Sequence, residues 1–316
     1  MCKYTFLLPA YKSRYLFKAI ESILNQTFPD FKIIIVDDAS PENLKEIVNL
    51  FNDNRLNYIR NQYNIGSKNL CDNWHFCLQY VQSEYMILAS DDDVYEKEFL
   101  EYVNYNVNKY PECNIFRGNT RIIDACGHIE KEDSTFNTTI VPLDEYLLKY
   151  FPKQVRCIAN TVYKTNWIKK HGYNVYDLAW HSDNMTAFKA AFSNGIVLIG
   201  EKNLFNFRVS GINISSIKTN NSILRKSKAS SAYFSDLSNL IKKLPISRFK
   251  RLIIRLKYLR NARITFYGYA ITCHQKDRKQ IYNDIEKCSI FNPIQKIIYY
   301  TIMLKIYITE SNNENN

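Results

Sequence analysis

Glycine is scarce in this chain. Its 316 residues include eight glycines and eight prolines, which excludes collagen-like and Pro/Gly-rich low-complexity sequences. The glycines form no Gly-x-Gly-x-x-Gly run and no Gly-Lys-Ser/Thr, and Gly200-Glu201-Lys202 is not a P-loop. The usual phosphate-cradling loops are therefore missing. None of the eight cysteines stands in a Cys-x-x-Cys pair, which argues against a zinc knuckle or a thioredoxin motif. Cysteine is also too sparse for a disulfide scaffold in a chain of this size, so buried free thiols in a reducing compartment are expected. No stretch reaches eighteen uncharged apolar residues. The nearest, Ile294–Ile308, carries Lys296 and Lys305 and is too short to span a bilayer unaided. The opening Met1–Pro9 has a short apolar run and no small-residue cleavage site, so it does not read as a signal peptide.

What is present describes a globular protein: 46% hydrophobic and 23% charged residues support a sizeable core. The net charge of +11 is unevenly placed. Residues 1–216 carry 23 Lys and Arg against 25 Asp and Glu, while residues 217–316 carry 19 against 6. The whole positive excess thus lies in the last hundred residues, as in chains that meet anionic lipid, nucleic acid or an acidic protein.

The first hundred residues alternate between two periodicities. Tyr4–Leu8, Lys32–Val36, Leu56–Arg60 and Tyr85–Ala89 are short apolar or β-branched runs and read as strands. Tyr15–Asn25, Ser40 to about Asn52, Ser67–Val81 and Glu96–Lys109 read as helices. In the first, Leu16, Ile20, Ile23 and Leu24 fall on one face; in the second, Ser40-Pro41-Glu42 offers a cap. Strands joined by helices of this length run parallel with right-handed crossovers, which predicts a doubly wound α/β sheet. Ligands of such sheets bind outside the carboxyl ends of the strands. Three polar tips fall there: Pro9-Ala10-Tyr11, Asp37-Asp38 and Asp91-Asp92-Asp93.

After Pro111 the pattern gives strands at Asn114–Gly118, Arg121–Asp124, Ile196–Ile199 and Leu204–Val209, with helices at Leu143–Tyr150, Thr165–His171 and Ser182–Ser193. The expected division is one α/β domain over residues 1–216, with halves meeting near residue 110. A basic helical region over 217–309 and a disordered tail over 310–316 follow. A sheet without a glycine loop, but with acids at a strand end, suggests a divalent cation as its phosphate device. Carboxylates bind Mg²⁺ or Mn²⁺, and the metal bridges a diphosphate.

Several segments together resemble glycosyltransferase family 2, whose fold is the GT-A type. They are Leu7-Leu8-Pro9-Ala10-Tyr11-Lys12, Ala19–Phe28, Ile33–Ser40, Asn64-Ile65-Gly66, Glu84–Tyr95, Leu178–Asp183 and Phe207–Ser215. Ala10 and Lys12 depart from the family's Pro-Thr-Tyr-Asn, and Ser90 stands where its first metal-site Asp falls. The resemblance spans about residues 3–216 and implies an inverting transfer from a nucleotide diphosphate sugar, a UDP-sugar by expectation. It places Pro9, Ala10 and Tyr11 in the base pocket and Asp38 on uracil or ribose, with Asp37 supporting the turn. Lys68 and Arg208 fall to base or phosphate, and Asp91 to the ribose or a metal-bound water. Asp92, with Asp93 in support, falls to Mn²⁺ or Mg²⁺. Asp183 is the implied general base, taking the acceptor's proton opposite the leaving diphosphate, with His181 near enough in sequence to tune it. The acceptor would be a glycan or a lipid-linked glycan in bacterial surface-polysaccharide synthesis.

Between Lys242 and Arg263 there are nine Lys and Arg and no acid. Phe249, Leu252, Ile253, Leu256 and Leu259 recur at helical spacing. Docking on an anionic membrane surface and packing on the catalytic domain both fit this basic amphipathic helix. The first would make a cytoplasmic protein peripheral on the inner face of the membrane. Nucleic-acid binding is not expected, because no recognised module accompanies the charge. Two competing functions remain open from sequence. A sugar-phosphate nucleotidyltransferase would want a glycine-rich loop after the first strand. A non-enzymatic membrane-binding protein would leave the strand-end acids without a role.

Overall fold

The computed structural model describes residues 2–211, 217–297 and 301. They form two compact units: residues 2–175 with 186–211, and residues 176–185 with those described from 217 onward. The expected boundary after residue 216 and the 310–316 tail lie outside the described residues. Residues 176–185, expected in the α/β domain, cluster instead with the C-terminal helices. Among the described residues no helix is long and apolar enough to cross a membrane.

The first unit is built on β1 (Tyr4–Ala10), α1 (Leu16–Leu24), β2 (Phe31–Asp37), α2 (Leu44–Val48), β3 (Leu56–Arg60), α3 (Leu70–Cys77) and β4 (Tyr85–Leu88). The two-residue β5 (Val94–Tyr95) and α4 (Phe99–Lys109) follow. Strands β1, β2, β3 and β4 are mutually parallel, with β1 between β2 and β4, as the crossover rule requires. Beyond β4 the sheet turns mixed: β6 (Ile115–Ile123), β7 (Ile129–Glu132) and β8 (Thr139–Val141) precede α5 (Leu143–Glu145), which runs on into a π-helical turn. Next come β9 (Thr161–Lys164), α6 (Thr165–His171), α7 (Ser182–Ala190), whose residues 182–185 fall in the second unit, and β10 (Ile196–Arg208). The strand order is β3-β2-β1-β4-β9-β6-β10-β5, with β7 on β6 and β8 on β10. Strand β9 is antiparallel to β4 and β6, whereas β10 runs parallel to β6.

The core follows from these runs. Phe6, Leu8, Ile33, Ile35 and Ile87 point into one cluster with Leu16, Ile20, Phe99 and Val103 of the covering helices. Aromatic edges close it, Phe6 meeting Tyr95 at 5.0 Å and Tyr95 meeting Phe205 at 5.0 Å. Helix α2 is shorter than its sequence suggests. Ser40 does not cap it; the Ser40 hydroxyl donates to the Tyr11 carbonyl, and Asn43 occupies the cap position.

In the second unit, α8 (Asn220–Lys243), α9 (Arg248–Thr272) and α10 (Arg278–Lys287) pack together. Pro245 falls in the break between α8 and α9, which splits the basic stretch expected as one helix; Ser247 caps α9 by accepting from the Lys250 amide. Helix α9 buries Ile254, Tyr258, Leu259, Ala262, Phe266 and Ala270. A second apolar row remains exposed: Phe249 (73%), Ile253, Leu256, Ile264, Tyr267 and Ile271, with Leu252 beside it. Its spacings, built from steps of three and four residues, keep that row on one face.

Candidate active site

The parallel register sets Ala10 beside Asp37 and ends β4 at the same edge. Three tips meet there and are stitched together by hydrogen bonds. One Asp91 carboxylate oxygen accepts from the Tyr11 and Lys12 amides, each at 2.9 Å. The Ser40 hydroxyl donates to the Tyr11 carbonyl at 2.7 Å, and the Asp38 amide donates to the Ala10 carbonyl at 3.0 Å. Pro9 is partly exposed, Ala10 is buried, and the Tyr11 ring is 40% exposed at the rim.

Asp37 is fully buried. It accepts from the Ser40 amide at 2.8 Å, from the Tyr58 hydroxyl at 2.5 Å and from the Arg60 guanidinium, which also donates to the Ser40 carbonyl. Burial and the Asp37 carboxylate together push the Tyr58 phenol up to about 12. Tyr58 and Arg60 lie on β3, whose end lacks acids, so nothing in the sequence marked them. Asp38 accepts from the Asn61 amide group at 2.8 Å, from the Ile65 amide at 2.9 Å and from the Gly66 amide at 2.7 Å. A Cβ at Gly66 would stand 2.9 Å from an Asp38 oxygen, so a side chain there would push on this carboxylate. About four lone-pair sites belong to a carboxylate; three hold the turn. Lys68 stands exposed in the turn before α3.

The three consecutive acids point three ways. Asp91 is partly buried, and burial raises its carboxyl against the opposing pull of the Tyr11 and Lys12 amides. Asp92 is partly exposed; Ser90 donates to its side chain, and Arg208 Nε donates to its carbonyl at 2.8 Å. Asp93 turns inward, 1% exposed, and accepts from the Arg208 amide at 2.8 Å with the Cys157 thiol 3.8 Å away. Burial, reinforced by the Asp92 charge, holds the Asp93 carboxyl well above the usual carboxylate range. Asp93 was expected beside Asp92 on the metal; its packing instead makes it a tie between this tip and β10.

Arg208 departs from expectation in the same way. It is 2% exposed, its guanidinium lies 4.5 Å over the Tyr15 ring, and it donates to the Asp124 and Ala125 carbonyls at 3.1 and 3.3 Å. This enclosed side chain braces the acidic tip through the Asp92 carbonyl and its own amide, which donates to Asp93. Nearby, Asp124 accepts from the Cys126, Gly127 and His128 amides, with His128 Nδ1 3.1 Å from its other oxygen. His128 thus belongs to a tight, exposed turn.

Asp183 lies in the second compact unit, partly buried in the first turn of α7. The segment before it is irregular: Leu178, Ala179 and His181 have φ of 57°, 53° and 70°. His181 Nε2 meets the Ser230 hydroxyl at 3.2 Å, and its ring stacks on Tyr233.

The chain is similar to known proteins. The family model described as "Glycosyl transferase family 2" matches residues 5–172. A putative colanic acid biosynthesis glycosyl transferase of Escherichia coli K12, WcaA, is 37% identical over 78 residues, which is 24% of this chain and 27% of that protein. The glycosyltransferase GlyG of Streptococcus pneumoniae is 30% identical over 106 residues, 33% of this chain and 34% of that protein. The matched part thus spans about a quarter to a third of these relatives. Among solved structures, S. aureus TarS 1-349 in complex with UDP-GlcNAc superposes with a TM-score of 0.70 at 17% identity, covering 89% of this chain and 79% of that one. The mannosyltransferase PcManGT of Pyrobaculum calidifontis, in complex with GDP-Man and Mn²⁺, gives 0.54 at 12% identity, covering 98% and 83%. These likenesses establish the fold as the GT-A type. With more than half of the chain under the family model, the chain belongs to glycosyltransferase family 2.

Proposed function

We propose that the protein transfers a hexose from a UDP-sugar to a glycan or lipid-linked glycan, with inversion at the anomeric carbon, in the assembly of a bacterial surface polysaccharide. The observation that carries this reading is the rim of three strand ends, sewn together by Asp91 and Ser40, that leaves Asp92 at its edge. The Tyr11 ring offers a face to the uracil, and Asp38 keeps a lone pair for a ring N–H or a ribose hydroxyl after holding its turn. The acceptor hydroxyl oxygen attacks the anomeric carbon, the bond from that carbon to the diphosphate oxygen breaks, and the proton passes to the Asp183 carboxylate. Transfer to water instead of the acceptor would give free sugar and UDP.

The hard oxygen donors of Asp92 and Asp91 suit Mg²⁺ or Mn²⁺. Asp92 would hold the cation and Asp91 would stand beside it, while Asp93 and Arg208 fix the backbone between. Such a cation supplies Lewis-acid stabilisation of the charge on the leaving diphosphate. The nucleotidyltransferase alternative finds no support in Pro9-Ala10-Tyr11-Lys12, which lacks the glycine loop that class requires.

The exposed row of α9 supports a peripheral seat on an anionic membrane, on the cytoplasmic face where a lipid-linked acceptor would be met. The row from Phe249 to Ile271 extends about 33 Å at 1.5 Å per residue. Arg248, Arg260 and Arg263, all exposed, lie among its residues, as in helices that lie in the interface plane. The test of the whole reading is a panel of nucleotide sugars with Mn²⁺. Release of UDP from one donor, accelerated by a lipid-linked glycan and lost in Asp92→Asn, is expected. Absence of turnover with every UDP-sugar would defeat it.

A further inference from the structure

Asp183 follows a stretch of backbone that its own sequence does not favour. Leu178, Ala179 and His181 all take positive φ, a region that non-glycine side chains avoid. Such conformations persist where the surroundings over-determine them. Here the surroundings are α8 and α9. Trp180 Nε1 donates to the Tyr269 hydroxyl at 2.9 Å. The Tyr269 hydroxyl and the Ser230 hydroxyl are 3.0 Å apart, and Ser230 lies 3.2 Å from His181 Nε2. A closed hydrogen-bonded chain thus leaves the segment at Trp180, crosses α9 and α8, and returns at His181. The His181 ring lies 4.3 Å from the Tyr233 ring at 17°, and the Lys226 ammonium sits 4.5 Å over Trp180. On the near side, Arg225 pairs with Asp177 through both guanidinium Nε and Nη2, and the Tyr176 hydroxyl donates to Asp236 at 2.7 Å. Residues 176–185 also cluster with these helices as one compact unit.

Ordinary packing of a loop on a helix pair would use apolar contacts. This segment is instead gripped by polar groups at both of its ends and at its two aromatic side chains. We propose that α8 and α9 are a jig for the general base: Tyr269, Ser230 and Tyr233 hold residues 177–181 in the left-handed turn that sets the Asp183 carboxylate. These three are positioning residues, and the inference rests on the reading of Asp183 as the base. The basic C-terminal helices then serve the chemical step as well as any membrane contact.

The test is a double-mutant cycle on the intact chain with a UDP-sugar donor and its acceptor. Tyr269→Phe keeps the ring and removes the hydroxyl that joins Trp180 to Ser230. It should lower kcat for transfer by about tenfold while donor KM stays within about twofold, the pattern of a lost transition-state interaction. Ser230→Ala, which breaks the same chain from α8, should reproduce that split. In an Asp183→Asn background, Tyr269→Phe should cause no further loss, because residues acting through one group are non-additive. A full additional tenfold loss in that background, or an unchanged kcat in both single variants, would overturn the proposal. Asp183→Asn alone reports on the base: a kcat kept near wild type would remove that assignment, and the jig with it, whatever Tyr269 does.

Discussion

Asp91, Asp92 and Asp93 are chemically identical in the sequence and do three different things in the fold. The backbone turns Asp93 inward, where its carboxyl accepts the Arg208 amide. An asparagine there retains an oxygen for that bond, so Asp93→Asn should keep at least about a third of the transfer rate, a barrier change under about 0.7 kcal/mol. Asp92→Asn removes the charge at the exposed edge and should leave less than about a tenth, a change of at least ~1.4 kcal/mol. Initial rates of UDP release with Mn²⁺ compare the two, and equal losses would refute this division of labour. Arg208→Ala should act through stability instead. It removes a buried guanidinium that donates to the Asp92, Asp124 and Ala125 carbonyls, of which the Asp124 carbonyl keeps the Gly127 amide as a donor. Unfolding in urea should show a loss of about 1–3 kcal/mol, the range for deleting a buried hydrogen-bonding group.

Among the elements, the parallel strands and the acids at their ends were legible because burial on both faces writes continuous apolar runs into a sequence. The second half of the sheet was less so. The runs at 114–118 and 121–124 are one strand, β6, and those at 196–199 and 204–209 are one strand, β10. The polar residues between them resemble turns, yet the sheet takes them in. Asn119, for example, is buried and donates to the Ser134 and Gly200 carbonyls, and β10 absorbs its extra residues as register shifts. The support of the 177–181 segment was illegible for another reason: its hydrogen-bond partners lie 48 to 89 residues away in the chain, and no local pattern announces them. Gly195 shows how tightly the connection into β10 is made. Its φ is +73°, and a Cβ would meet the Val141 carbonyl oxygen at 2.6 Å. Gly195→Ala should cost about 1–3 kcal/mol, read as a lowered urea midpoint with an unchanged slope.

At the scale of the whole molecule, the charge asymmetry and the bare row on α9 point to the same surface. Binding to anionic vesicles should be strong at low salt and weaken as salt rises, since screening shortens the reach of charge to ~10 Å at 0.1 M. Replacing Phe249, Ile253 and Leu256 together with Ser should release the protein from vesicles while sparing transfer to a soluble acceptor. Sedimentation with neutral and anionic vesicles decides it: equal partitioning of both proteins into both would remove the membrane reading. Arg251 should be left intact in any such set, because its guanidinium donates to the Leu244 and Ile246 carbonyls and holds the break between α8 and α9.

The clasp between Asp93 and the Arg208 amide joins positions 115 residues apart in the chain. A ribosome adds about 5–20 residues per second, so the acidic tip emerges on the order of ten seconds before the strand that pins it. During that interval β1 to β4 can already pair, since each finds its neighbour among residues made earlier. The sheet can thus exist on the nascent chain before the geometry of the acidic tip does. Chains arrested short of residue 208 should protect β1 to β4 from protease yet bind no nucleotide sugar, which makes the last strand of the sheet a timing element for activity during synthesis.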